Sequence, residues 1–335
     1  MSTIADVAAR AGVSKATASR ALSGNGYVSD ATRKRVTDAA TELLYVAHSS
    51  ATSLATGRTQ TVGVIMPAVD RWFFSELLAG IQEALFDLDY ELALYGIREG
   101  TTTRDRLFDT VLPRRRFDGI IAVGIQPSAH ELERLQRSER PLVSVGPYSE
   151  GSSAVSIDDA AAARIATEHL IDLGHTDIAF IGGAPDAVSL SFGDARRADG
   201  YLEALRAAGL ADAARLIDAG PTMPGGYDAA VELLGDRRRR PTAIVGVCDE
   251  AAIGATIAAR RLGISVPAEL SVVGIDDHQH AAMFSLTTIR QSPREQGHEA
   301  VRLLREQIER PDAGIERVVT ASALVVRNST SAPRP

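Results

Sequence analysis

The chain has 335 residues, enough for two or three domains, and its 45% apolar and 24% charged content is that of an ordinary globular protein. Cys248 is the only cysteine, which excludes an intrachain disulfide and a multi-cysteine zinc site. The net charge of −7 is unevenly spread: residues 1–60 hold seven Lys/Arg against four acids, a net of +3, and the remainder carries −10. A cationic head on an anionic body fits a nucleic-acid reader whose body stands off the phosphates. No run of 18 apolar residues offers a membrane span, and the N-terminus lacks a signal pattern, so a protein of the reducing cytosol is expected.

Residues 3–22, TIADVAARAGVSKATASRAL, contain two short helical patterns broken at Gly12. Thr3 and Asp6 can form a capping box that starts the first helix. Ile4, Val7 and Ala8 give it an apolar face at i, i+3 and i+4. Gly12 supplies a turn in which positive φ costs glycine little. Ser14 can cap the second helix. Ala18, Ala21 and Leu22 then face inward, and Lys15, Ala16, Thr17, Ser19 and Arg20 face out. This is a helix-turn-helix pattern, whose second helix lies in the DNA major groove.

SGNG at 23–26 stops that helix, and Ser29 starts a third over roughly 30–44, with Val36, Ala39, Ala40, Leu43 and Leu44 inward. Residues 46–60 are small and polar apart from Leu54 and read as a linker with a short helix at about 49–55.

From Thr61 the rhythm changes. Apolar runs VGVIM, ELALY, GIIAV, PLVSV, DIAFI, TAIVGV and LSVVGI predict strands at 62–66, 91–95, 119–123, 141–145, 177–181, 242–247 and 270–275. Helix-period segments separate them, which predicts parallel sheets covered by helices. The runs fit one large sheet or two smaller ones; the restart at LIDLGHTDIAFIGG favours two similar lobes with a cleft between them. The final SAPRP reads as a frayed end.

Head, linker and body together resemble the LacI/GalR family of bacterial transcriptional repressors. The resemblance covers essentially the whole chain. It rests on TIADVAARAGVSKATASRAL, VSDATRKRV, ATSLATGRTQTVGVIMP, FFSELLAGI, HLIDLGHTDIAFIGG, RADGYLEAL, PTAIVGVCDEAAIGA, GISVPAELSVVGIDD, LTTI and LVVRNST, in that order. It implies an α/β fold: an all-α helix-turn-helix head, then a two-lobed, periplasmic-binding-protein-like body with parallel sheets. The expected division is a head at 1–46, a hinge at 47–60 and a body at 61–335. Lobe 1 takes about 61–158 plus 291–324, and lobe 2 about 159–290. The family implies a homodimer on a near-palindromic double-stranded operator. No leucine-heptad tail follows LVVRNST, so a dimer rather than a tetramer is expected.

The resemblance places Lys15, Ala16 and Arg20 at base-reading positions. Arg20 can pair bidentately with guanine, a contact worth about 1–3 kcal/mol of discrimination. Thr3, Ser14, Thr17, Ser19, Asn25, Tyr27, Ser29 and Thr32 are candidates for backbone contacts that set register. Leu54 matches the hinge leucine that wedges into the minor groove, and Ala51 the small residue that lets hinge helices pair. The family's usual Pro-Asn after the tyrosine is replaced here by Ala47-His48 after Tyr45-Val46, which leaves a usual phosphate contact in doubt.

Ligands of such folds sit at the carboxyl ends of parallel strands. Asp249 and Asp276 follow two of the predicted strands. By resemblance Arg197 and Asp276 are the polar anchors of the effector, with Asp249 beside another. Cys248 stands where sugar-sensing members often have an amide. Trp72, Phe73 and Phe74 follow the first strand and offer rings that stack on sugars or planar bases, or else belong to the core or a dimer interface.

The effector expected is a small carbohydrate, with a nucleobase or a corepressor as the alternative. A cytosolic α/β sugar enzyme is the remote alternative: GxGxxG, GxxxxGK[ST], HExxH and GxSxG are all missing, so no catalytic residue and no cofactor is expected. His278 and His280 form an HxH without partners at ligand spacing, so no metal is expected either. Asp158 and Asp159 read as a helix start.

Overall fold

The computed structural model describes residues 2–23, 26–45, 58–67, 69–97, 102–112, 116–125, 127–137, 140–147, 151–183 and 192–334. By internal contacts the chain forms two units: residues 1–60 with 116–118, and the rest.

The head is three helices, α1 (Ile4–Ala11), α2 (Lys15–Ser23) and α3 (Asp30–Glu42). The capping box forms as the spacing predicts. The Asp6 amide donates to Thr3 Oγ1 at 3.4 Å, and the Thr3 amide donates to Asp6 Oδ2 at 2.8 Å. Gly12 takes φ 65° after α1. Ser14 Oγ accepts from the Thr17 amide at 3.1 Å, and Ser29 Oγ from the Thr32 amide at 3.4 Å. Val7, Ala8, Ala18, Ala21, Val36, Ala39 and Ala40 make the core, on which Leu22 and Leu43 pack half-buried. Small side chains at these positions let three short helices approach closely.

One expectation fails here. Helix α3 ends at Glu42, and Leu44 turns outward with φ 48° and 88% exposure. The left-handed residue shifts the register so that Tyr45, its amide on the Ala40 carbonyl, packs on the core in place of Leu44.

The body alternates strands and helices: β1 (Thr61–Met66), α4 (Trp72–Phe86), β2 (Glu91–Gly96), α5 (Thr102–Arg106), β3 (Gly119–Val123), α6 (Ala129–Arg137), β4 (Leu142–Val145), β5 (Ser153–Ser156), α7 (Asp159–Asp172), β6 (Ile178–Ile181), α8 (Phe192–Ala207), β7 (Arg215–Ile217), α9 (Met223–Gly235), β8 (Ala243–Gly246), α10 (Asp249–Arg261), β9 (Ser271–Asp276), β10 (Thr287–Arg290), α11 (Pro293–Glu309), β11 (Arg317–Val319) and β12 (Ala323–Val325). The described residues make two six-stranded sheets, ordered β11-β5-β4-β3-β1-β2 and β12-β10-β9-β8-β6-β7. Every pairing is parallel except β10–β12. The two sheets therefore repeat one order, and each reverses direction at its first strand.

All seven predicted runs are strands. The others, β5, β7, β10, β11 and β12, are three or four residues long, and β10 carries two threonines, so they lack the long apolar signature. Lobe 1 holds the first sheet and lobe 2 the second. The chain passes between them after β5, after β10 and after β11, and Ala323 already pairs with Arg290 in lobe 2. The SAPRP end is not frayed through residue 334. The Ser331 carbonyl accepts from Ser271 Oγ at 3.0 Å and lies 2.9 Å from His175 Nε2, which anchors the segment on lobe 2.

Candidate functional site

In the head, the packing that buries Ala18 and Ala21 puts the other face of α2 in solvent. Lys15, Ala16, Ser19 and Arg20 are exposed and Thr17 is half-buried. Arg20 Nε donates to the Ala16 carbonyl at 3.3 Å, so the guanidinium lies along the outer face of its own helix. Tyr27 is 93% exposed. Thr3, Ser14, Ser29 and Thr32 are occupied as helix caps or cap partners, a role compatible with a phosphate contact through a second lone pair. Asn25, Ala51 and Leu54, with Ala47 and His48, lie outside the described residues.

In the body, the switch points of both sheets, β1/β3 and β6/β8, are where a doubly wound sheet leaves a crevice beyond the strand ends. A cavity of about 70 Å³ opens there between the lobes. From lobe 1 it is lined by Arg71, Phe73 and Phe74, with Gly124 and Gly146 just after β3 and β4 and Ser156 at the end of β5. From lobe 2 it is lined by Asp159, Asp194, Arg197 and Asp276, and Gln291 joins from the crossing after β10.

Arg197 is the organising cation. It sits on α8, 8% exposed. Its Nε donates to Asp159 Oδ1 at 2.8 Å and its Nη1 to the Val247 carbonyl at 2.7 Å. Its Nη2 lies 3.6 Å from Asp276 Oδ1. Burial disfavours the charge, but Asp159, Asp276 and Asp194 outweigh burial and hold its pKa above the ordinary value. Asp276 closes β9 with φ 132°, a conformation rare for a residue with a side chain. Burial pushes its carboxyl up to about 6, against the pull of Arg197 and of the Gln291 amide, which donates to Oδ1 at 2.6 Å. Gln296 donates in turn to Gln291 Oε1 at 2.9 Å, so this chain of side chains runs from α11 to β9.

The structure gathers Arg197, Asp276, Phe73 and Phe74 on one cavity. The two phenyl rings meet edge to face at 5.4 Å. Asp249 and Trp72 are not on that lining. Asp249 is fully buried beneath the first turn of α10. It accepts from Thr288 Oγ1 at 2.6 Å and from the His278 amide at 2.7 Å. Trp72 lies on the rim, its ring 4.9 Å from that of His278.

The sequence motifs do not single out Arg71, Asp194 or Gln291, and they mark Asp159 only as a helix start. Asp159 opens α7 and Gln291 follows β10, both at lobe crossings, whereas Arg71 precedes α4 and Asp194 lies in the first turn of α8. Among the described residues no cluster of His, Cys, Asp and Glu could hold a metal ion, and no helix is long and apolar enough to cross a membrane.

Residues 3–48 match the family described as bacterial regulatory proteins, lacI family, and residues 167–330 match the periplasmic binding protein-like domain. The chain is 32% identical to the HTH-type transcriptional regulator DegA of Bacillus subtilis (strain 168), over 98% of each chain. The lac repressor dimer bound to operator and the anti-inducer ONPF superposes with a TM-score of 0.86 at 25% identity, over 99% of each chain. A LacI family transcriptional regulator from Enterococcus faecium with bound ribose superposes with a TM-score of 0.73 at 28% identity, over 82% of this chain and 100% of that one. The chain is thus a regulator rather than an enzyme: it belongs to the lacI family of bacterial regulatory proteins and is a DNA-binding transcriptional regulator.

Proposed function

We propose that this protein represses transcription from a near-palindromic operator and that a small uncharged sugar, bound between the lobes, switches its affinity for DNA. In this reading a homodimer places two copies of α2 in successive major grooves. Lys15, Ala16 and Arg20 read bases, and Thr3, Ser14, Thr17, Ser19, Tyr27, Ser29 and Thr32 contact the backbone. The division at 46 and 60 into head, hinge and body belongs to the same proposal. Dimerisation gains support from the likeness to the lac repressor dimer and from apolar side chains left in water on lobe 2, Met283 at 79% and Ile257 at 39% exposure.

The observation that carries the effector assignment is the convergence of Asp276 and Arg197 on one cavity. A carboxylate that accepts beside a guanidinium that donates suits the adjacent hydroxyls of a sugar, and Phe73 and Phe74 supply an apolar face for its C–H groups. The lining carries three carboxylates, Asp159, Asp194 and Asp276, against two guanidiniums, Arg71 and Arg197. That balance disfavours a phosphate or carboxylate ligand. The ribose-bound relative supports the same class. Effector binding that favours one arrangement of the lobes shifts the population on or off DNA by its differential affinity.

The test is a thermal-shift series on the full chain with neutral sugars, sugar phosphates and nucleobases. A ligand that binds only the folded state raises the melting temperature with concentration. A neutral sugar that does so and alters operator binding sustains the proposal. Stabilisation by a nucleobase or a sugar phosphate alone would replace the effector class.

A further inference from the structure

Helix α4 of lobe 1 has no cap of its own. Arg71 stands at its N-cap position, and its side chain makes no capping bond. The first amides of a helix need acceptors, and the positive end of its dipole favours an anion. The acceptor here comes from lobe 2: Glu250 Oε1 takes the Trp72 amide at 3.2 Å. Glu250 Oε2 lies 3.6 Å from Arg71 Nε. Glu250 is itself in the first turn of α10, so its carboxylate stands between the positive ends of two helices, one from each lobe.

The surroundings strengthen this contact. The side chains of Arg71 and Glu250 are only 21% and 15% exposed, so water screens their attraction less than that of a surface pair. The Trp72 ring rests on His278 of lobe 2. The contact is also imperfect. Arg71 Nε is fully buried without a hydrogen-bond partner, because 3.6 Å is too long for one. An orphaned buried donor is a cost that a small movement of the lobes can relieve, so the contact is poised.

We propose that Glu250 is a clasp across the cleft rim: it caps α4 and pairs with Arg71 from the opposite lobe, and its release is the step that lets the lobes part. The cavity offers about 70 Å³, well below the roughly 300–1,000 Å³ of ordinary ligand sites, so a sugar-sized molecule requires that parting. The need for that parting rests on the proposed effector cleft; the clasp itself does not.

Trp72 is the chain's only tryptophan, so its fluorescence reads the clasp directly. The experiment compares the full chain with Glu250→Ala, Glu250→Gln and Arg71→Gln, using acrylamide as the quencher, with far-UV circular dichroism to confirm folding. Small-angle scattering at matched oligomeric state reports the lobes. A red-shifted Trp72 emission, stronger quenching and a larger radius of gyration are expected in Glu250→Ala. Arg71→Gln should move the same way from the other lobe, and Glu250→Gln should fall between Glu250→Ala and wild type. Unchanged emission and quenching in folded variants would overturn the clasp. So would stronger quenching with an unchanged scattering profile, because Glu250 would then hold only Trp72 and not the lobes. A sugar series without a hit would sink the effector assignment while leaving this measurement decisive.

Discussion

Asp249 follows β8 and Asp276 closes the neighbouring parallel strand β9, yet their carboxylates have different partners. Asp276 meets the cavity between the lobes beside Arg197, whereas Asp249 is turned under α10 onto Thr288 and the His278 amide. A place at the carboxyl end of a strand is therefore common to both, and the backbone separates the roles. Asp276 is held at φ 132° at the end of β9, and Asp249 is already the first residue of a helix.

That difference predicts a pH dependence. Burial pushes the Asp249 carboxyl up to about 8 from 3.8. A carboxyl with a raised folded value favours the folded state fully below about pH 4 and loses that contribution as pH rises through about 8. In wild type the melting temperature should thus carry a downward component across this window, and in Asp249→Asn that component should vanish. Parallel profiles for the two proteins would show that Asp249 does not titrate this way. His278 works in the opposite sense: burial lowers it to about 4 from 6.5, so its contribution is lost on acidification between those values.

Asp276→Ala should abolish the response of operator binding to effector while leaving binding in its absence near wild type. Calorimetry and fluorescence anisotropy read the two separately. Effector-driven release that survives in Asp276→Ala would remove this carboxylate from the site.

Arg20→Ala should lower affinity for the selected operator by about 1–3 kcal/mol and leave non-specific duplex binding nearly unchanged. Anisotropy titrations on an operator recovered from random duplexes give the ratio. An equal loss on both DNAs would make Arg20 a phosphate contact rather than a reader of bases.

Gly254 on α10 tests the packing of lobe 2. A Cβ there would fall 2.1 Å from the Met223 carbonyl oxygen of α9, which is backbone and has no rotamer to yield. Gly254→Ala should therefore destabilise the fold by about 1–3 kcal/mol, measured by urea denaturation. A stability within error of wild type would mean that the two helices can separate at little cost.

Periodicity and caps made the head legible. Thr3, Ser14 and Ser29 announce helix starts by chemistry that acts over three residues, and all three form the bonds their spacing predicts. Six of the seven apolar strands were legible because parallel strands buried on both faces need continuous apolar runs, whereas β2 is an edge strand with half-buried and exposed side chains. Arg197 and Asp276 were indicated by resemblance. Leu44 misled because its position fits the helical period, and only the left-handed turn after Glu42 removes it from the core.

What the sequence by itself determined was therefore local: where helices begin, which runs are strands, and which face of α2 is polar. Only the tertiary structure decided which of the polar residues after strand ends share a cavity. Asp159, Arg197, Asp276 and Gln291 come together from the ends of separate strands and helices. Glu250 caps a helix 178 positions away in the chain. Hydrogen bonds and charges act over a few ångströms of space, and sequence separation carries no trace of that distance until the sheets are assembled.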